Sequence, residues 1–125
     1  MSIKLLARSL FAIWLMAVAA LSVISHPGSK DLLVSVKLTS SGFVMHGLAC
    51  FVGMLLCFLA FDAKRISFIV WTGLLIFIYS VVLEVVQFYL PYRTFNVYDI
   101  AGNGIGVILG MGVGACKRVS DAEVR

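Results

Sequence analysis

Four long apolar stretches most constrain the fold of this chain, because each is long enough to cross a membrane as a helix. They cover approximately residues 5–25, 42–61, 66–90 and 99–116. At about 1.5 Å per residue, a helix of about 20 residues spans the roughly 30 Å hydrocarbon layer of a bilayer. A helix also satisfies its own backbone polar groups, which lipid cannot do. The pattern predicts an all-α membrane protein, a single domain over residues 1–125 with four transmembrane helices in a compact bundle.

Composition supports burial by lipid. Of the 125 residues, 62% are hydrophobic and only 13% are charged. A soluble core of this size could not bury so much apolar surface. The first apolar stretch is interpreted as a retained membrane helix and not as a cleaved signal peptide, because three further apolar stretches follow it.

The basic residues predict the orientation in the membrane. They flank the apolar stretches and favour a cytoplasmic N-terminus and C-terminus by seven to three. This placement leaves no basic stripe to follow a phosphate backbone, so the net charge of +4 does not indicate nucleic-acid binding. The seven predicted cytoplasmic residues are Lys4, Arg8, Lys64, Arg65, Lys117, Arg118 and Arg125, and the three predicted outside are Lys30, Lys37 and Arg93.

The cysteines and the known nucleotide and zinc motifs give no indication of a cofactor. Cys50, Cys57 and Cys116 lie in apolar stretches and are interpreted as small packing residues. The sequence contains no CxxC pair, no glycine-rich phosphate loop and no GxSxG motif. No metal site, disulfide or other cofactor is therefore predicted.

Polar residues at a similar predicted depth indicate a site. Counted from the outer end of its helix, Glu84 lies about 10 Å deep, His46 about 7 Å and Asn103 about 6 Å. An unpaired charge at such depth costs a few kcal/mol, so these side chains should face the bundle interior or a water-filled pocket. With the predicted orientation, this pocket faces the extracytoplasmic side. Three further polar residues are expected nearer the surface, namely Gln87, Arg93 and Asp99.

Two interpretations of this polar cluster remain open. In the first, Glu84 and Asp99 pair with Arg93 and tie the third helix to the fourth, while Gln87 and Asn103 satisfy backbone groups. In the second, the cluster is a polar pocket that receives a headgroup. Here His46 and Glu84 are the candidate catalytic residues. The candidate ligand-binding residues are Gln87, Arg93, Asp99 and Asn103.

Glycines recur every four residues on the predicted fourth helix. They form one smooth face, of the kind on which another helix packs closely. The partner helix could belong to the same chain, to a second copy or to a larger membrane protein. This face, the glycine stripe, consists of Gly102, Gly106, Gly110 and Gly114.

The C-terminal half of the chain resembles the VanZ-like membrane protein family. That family joins E-x-x-Q at a helix end to P-x-R, D-x-x-x-N and G-x-x-x-G, and His46 matches the histidine of its second helix. Gly42 and Phe43 stand where the family often has Asp-Lys. Asn96 stands where it often has serine. The matching residues are Glu84, Gln87, Pro91, Arg93, Asp99, Asn103, Gly106 and Gly110.

The resemblance implies a small protein of the bacterial cytoplasmic membrane, related to a protein associated with resistance to the glycopeptide teicoplanin. The main hypothesis is binding or remodelling of a lipid-linked cell-wall intermediate or an amphipathic drug, among membrane lipids. Arg93 would then hold an anionic or amide-bearing headgroup. The alternatives are an intramembrane hydrolase or transferase that uses His46, Glu84 and Arg93, and a structural subunit that docks through the glycine stripe.

Overall fold

The computed structural model describes residues 2–24, 37–61, 65–93 and 95–123. Within these ranges the chain forms four helices and no strand. All four are long and apolar enough to cross a membrane. The predicted all-α fold is therefore confirmed. The helices are α1 (Ile3–Val23), α2 (Lys37–Ala60), α3 (Ile66–Phe88) and α4 (Val97–Glu123).

Two helices are longer than the apolar pattern predicts. α2 begins at Lys37, so the last residues of the predicted loop 29–41 are helical, and the rest of that loop lies outside the described residues. α4 continues to Glu123, seven residues beyond Cys116. Hydropathy marks where lipid ends, whereas a helix ends where its backbone hydrogen bonds end, so polar residues extend α4 past its apolar part.

Local capping explains where α1 and α4 begin. The Ser2 hydroxyl oxygen accepts a hydrogen bond from the Leu5 backbone N–H at 3.3 Å, as an N-cap does. Before α4, the Asn96 side-chain oxygen accepts from the Tyr98 N–H at 3.1 Å. Asp99 lies in the first turn of α4, where the helix dipole stabilises a negative charge.

Contacts between helix ends show that consecutive helices run in opposite directions. At one end of the bundle, Arg8 Nε of α1 donates to the Ala60 carbonyl at the end of α2, at 3.3 Å. At the other end, Arg93 Nη2 in the α3–α4 loop donates to the Leu21 carbonyl of α1 at 2.6 Å and to the Ile24 carbonyl at 3.0 Å. The end of α1 therefore lies beside the end of α3 and the start of α4.

The glycine stripe packs against α2 of the same chain. All four of its glycines are buried. A Cβ atom at Gly102 or Gly106 would meet the backbone of Phe43 or Gly47, and at Gly110 it would lie 2.5 Å from Met54 Cβ. The absence of side chains lets the two backbones approach closely. Docking of a second copy or a larger membrane partner through this stripe stays a prediction, and it would require α2 to be displaced.

The buried core is small and the outer surface is apolar. Met54 and Ile69 are among the most buried side chains, whereas Leu75 and Ile108 are exposed. Cys50 and Cys57 are buried as predicted, while Cys116 is exposed, and all three are free thiols. Such an exposed apolar surface is typical of helices that face lipid.

Candidate functional site

Three helices bring one imidazole and two carboxylates together. His46 of α2, Glu84 of α3 and Asp99 of α4 form this cluster, here called the polar centre. His46 Nδ1 lies 3.1 Å from Glu84 Oε1, and His46 Nε2 lies 3.9 Å from Asp99 Oδ2. The first distance is that of a hydrogen bond, and the second is too long for one. One imidazole thus stands between two carboxylates and makes a close contact with only one of them.

Both carboxylates are incompletely satisfied, and that of Glu84 is buried. Glu84 is 1% exposed, and its Oε2 atom has no hydrogen-bond partner among the described residues. Asp99 Oδ1 also has no partner among the described residues, and the Asp99 side chain is half-buried. A carboxylate in such surroundings is costly unless its charge is neutralised and its lone pairs are bonded. The polar centre therefore has unused capacity to bind a proton donor or a cation.

Asn103 extends the site along α4. It is 1% exposed, its Oδ1 accepts from Cys50 Sγ at 3.3 Å, and its Nδ2 has no partner among the described residues. His46, Glu84 and Asn103 line one cavity of about 30 Å³. The structure thus brings these three residues together, while their depth in the membrane stays a prediction. A cavity of this size holds about one or two water-sized groups.

Glycines of α2 make room for the part of the site on α4. A Cβ atom at Gly42 would lie 3.1 Å from Asp99 Oδ1, and one at Gly47 would lie 3.0 Å from the Gly102 carbonyl oxygen. A side chain at position 42 would therefore make Asp99 shift by a few tenths of an ångström. Gly42 is a position where the sequence departs from the VanZ-like pattern, and Gly47 directly follows His46. The packing role of these two glycines was not predicted.

Arg93 does not lie where the tie interpretation placed it. In the described part of the chain, the ion-pair contacts of Glu84 and Asp99 are with His46. Arg93 instead donates to two carbonyls at the end of α1. The neighbouring Tyr92 hydroxyl donates to the Val23 carbonyl at 2.7 Å. The expected pairing of Glu84 and Asp99 with Arg93 is therefore wrong. The reason is that the unsatisfied carbonyls at a helix C-terminus attract a cationic donor.

The remaining residues divide into those that were predicted and those that were missed. Gln87 is buried on the same face of α3 as Glu84, one turn towards the loop. Missed were the contributions of α1, which lines the cavity through Trp14 and Ser22, and of Ser80 on α3. Ser22 and Ser80 are not the only hydroxyl residues of their helices, which also contain Ser9 and Thr72, so no distinct sequence signal marked them.

The arrangement allows two kinds of chemistry. Glu84 orients the His46 imidazole, so His46 can accept or donate a proton at its other nitrogen. An imidazole nitrogen of His46 and the carboxylates of Glu84 and Asp99 could also hold a cation. One ligand atom from each of these residues lies within 4.8 Å of the others. Both uses need the same three side chains.

The fold and this site define a class of protein: a small multi-pass membrane protein whose helices enclose a polar centre. A family model described as VanZ/LLP1 matches residues 7–118, which include all four helical cores and every predicted site residue. The chain belongs to this family, and the resemblance noted in the sequence is confirmed. No curated protein and no solved structure matched the chain.

Proposed function

We propose that this VanZ-family protein binds one polar group of a lipid-linked or amphipathic cell-envelope molecule at the polar centre. The ligand would be a cell-wall intermediate or an amphipathic drug. Binding or remodelling this ligand would alter tolerance to glycopeptide and lipopeptide antibiotics. The orientation predicted from the basic residues places the site on the extracytoplasmic side of the bacterial cytoplasmic membrane, where such molecules occur.

The observation that carries this proposal is the set of buried polar atoms around one cavity that lack partners among the described residues. Glu84 Oε2 and Asn103 Nδ2 come from different helices, and both residues are 1% exposed. A helix tie has no need of free acceptors and donors at such depth, and leaving each unsatisfied costs about 1 to 3 kcal/mol. A ligand that bonds to them would recover this cost.

The size of the cavity limits what enters it. About 30 Å³ accommodates the tip of a headgroup and not a whole sugar or peptide. The rest of the ligand would lie against the apolar outer surface of the helices, as a lipid tail does. Arg93 holds the end of α1 through its Nη2 atom, and its buried Nε has no partner among the described residues, so the direct headgroup contact expected from the sequence stays part of the proposal.

The binding proposal is tested with purified protein and extracted envelope lipids. Native mass spectrometry would compare the wild type with Asp99→Asn and with Asp121→Asn, the same chemical change at an exposed position of α4. We expect retained lipid in the wild type and the control, and loss of it in Asp99→Asn. Equal retention by all three proteins would overturn the proposal.

A second candidate function is catalysis at the same centre. The 3.1 Å contact between His46 and Glu84 favours it, because a carboxylate that orients an imidazole is typical of a general base. A hydrolase would activate water with His46, and a transferase would activate the acceptor group in the same way. Purified protein that converts a lipid-linked substrate, and loses this activity in His46→Gln while still retaining lipid, would identify an enzyme.

A further inference from the structure

The charge of the polar centre bears on how a ligand is held there. Two carboxylates and one imidazole carry at most one positive charge between them, in surroundings where a net charge is costly. An anionic headgroup would be repelled by this cluster. Arg93 lies at the same end of the bundle, but its Nη2 donates to two carbonyls at the end of α1, and in the described part of the chain it makes no ion pair with Glu84 or Asp99. A cation bound within the polar centre would remove this conflict.

We propose that His46, Glu84 and Asp99 form a binding site for one first-row divalent metal ion, such as zinc or iron. This inference rests on the proposed function, for which the ion supplies the positive charge that an anionic or carbonyl-bearing headgroup needs. The combination of one imidazole nitrogen with two carboxylates suits these metals better than magnesium or calcium, which prefer all-oxygen sites.

The geometry of the centre fits an ion. Two ligands that are each about 2.1 Å from a zinc ion lie roughly 3.0 to 3.4 Å apart. His46 Nδ1 and Glu84 Oε1 are already 3.1 Å apart, and one ligand atom of Asp99 lies within 4.8 Å of both residues' ligand atoms. Asp99 Oδ2 lies 3.9 Å from the other imidazole nitrogen, Nε2, so the His46 or Asp99 side chain would rotate to bring all three ligand atoms around one ion. The cavity beside it leaves room for water or a ligand oxygen as a further ligand.

An independent observation supports a ligand at this place. Glu84 is 99% buried, and the imidazole contact uses only one of its two oxygens. Its second oxygen, Oε2, has no partner among the described residues although the side chain lines the cavity. Hydrogen bonding to His46 alone therefore does not account for the placement of Glu84. Coordination of a metal ion by the Glu84 carboxylate would account for this placement.

Asn103 would act on whatever the metal holds. Its buried Nδ2 group, which has no partner among the described residues, belongs to the wall of the same cavity. This N–H donor can bond to an oxygen of a metal-bound water or headgroup. The metal would thus provide charge, and Asn103 would provide orientation.

The test is metal binding by tag-free protein in detergent, after chelator treatment and buffer exchange. Zn²⁺ would be titrated against a chromophoric chelator, and bound metal would be counted by mass spectrometry. We expect one equivalent per wild-type chain, and affinity lower by about tenfold or more in Glu84→Gln and Asp99→Asn. The Asp121→Asn control should bind like the wild type. Mg²⁺ should not compete.

Spectroscopy of the wild type keeps the test independent of whether the variants fold. Co²⁺ in the proposed site should give visible absorption bands of a nitrogen- and oxygen-ligated ion, without the thiolate charge-transfer band that the free cysteines would cause. Wild-type protein that holds no zinc or cobalt would overturn the inference. So would full binding by folded Glu84→Gln and Asp99→Asn proteins.

Lipid retention measured with metal-free and metal-loaded protein separates the two proposals. Metal binding without lipid retention would support the inference and contradict the proposed function. Lipid retention that depends on Asp99 in protein that binds no metal would support the proposed function and overturn the inference.

Discussion

Gly106→Ala tests the close packing of α4 against α2 more sharply than any other single change. A Cβ atom at Gly106 would overlap the Gly47 carbonyl oxygen, and it would lie 2.8 Å from the Gly47 carbonyl carbon and 3.0 Å from its Cα. All three atoms belong to backbone and cannot rotate away. The chain offers a matched control on the same helix, since a Cβ atom at Gly112 would have no neighbour within 4 Å.

The magnitude follows from these distances. Non-bonded carbon atoms normally approach to about 3.5 Å, so α4 must move away from α2 by roughly 1 Å. Overpacking of this kind costs about 1 to 3 kcal/mol. The Cys50–Asn103 hydrogen bond, at 3.3 Å between the same two helices, would be lost by such a shift. In Gly112→Ala, the higher helix propensity of alanine should instead stabilise α4 by up to about 1 kcal/mol.

Unfolding by increasing amounts of denaturing detergent in a mild-detergent micelle, followed by circular dichroism, would measure both variants against the wild type. We expect Gly106→Ala to unfold earlier, and Gly112→Ala to unfold with the wild type or later. Equal stability of the two alanine variants would refute the claim that backbone contact at the glycine stripe holds α2 and α4 together.

Other consequences of the structure can be measured directly. Arg93→Ala should lower the free energy of unfolding by about 1 to 2 kcal/mol, because two hydrogen bonds to the end of α1 are lost. Tyr92→Phe should lower it by about 1 kcal/mol or less. Wild-type stability of the Arg93 variant in the same unfolding assay would contradict the capping role. The double change Glu84→Arg/Arg93→Glu should not restore the folded yield lost in the single variants, because Glu84 pairs with His46; recovery would show a direct pairing with Arg93. In a background lacking the exposed native cysteine, a membrane-impermeant maleimide should label Phe95→Cys in intact cells and Asp121→Cys only after lysis, and the reverse pattern would contradict the predicted orientation.

The helices were predictable from sequence because lipid imposes a simple requirement. A run of about 20 apolar residues has few alternatives to a membrane helix. The start of α2 at Lys37 and the end of α4 at Glu123 were not predictable on this basis, since hydropathy does not report helix that extends beyond the lipid. The spacing of the glycine stripe predicted a close helix contact, but only the fold identified α2 as its partner.

The site was predictable to the extent that depth determines it. Polar residues that must avoid lipid are expected to come together inside the bundle, and His46, Glu84 and Asn103 line one cavity. Counting residues along a helix predicts the depth of a side chain, but not the rotation of the helix or its neighbours. The contact of Asp99 with His46 and the position of Ser22 in the cavity wall could therefore not be predicted. The pairing of Arg93 with Glu84 and Asp99 was wrong because proximity in sequence indicated a pair, whereas the carbonyls that Arg93 contacts come from a distant part of the chain.

The central claim is that the polar centre serves function and not merely helix packing, and Glu84→Gln tests it most directly. The change preserves the size of a side chain that is 1% exposed. Folded protein would be scored by size exclusion after solubilisation, and tolerance to glycopeptides would be scored in the same cells, with Glu123→Gln as the control at an exposed position. We predict that folded protein stays at the wild-type amount while tolerance falls. Unchanged tolerance with folded protein, or a parallel loss of both, would contradict the claim.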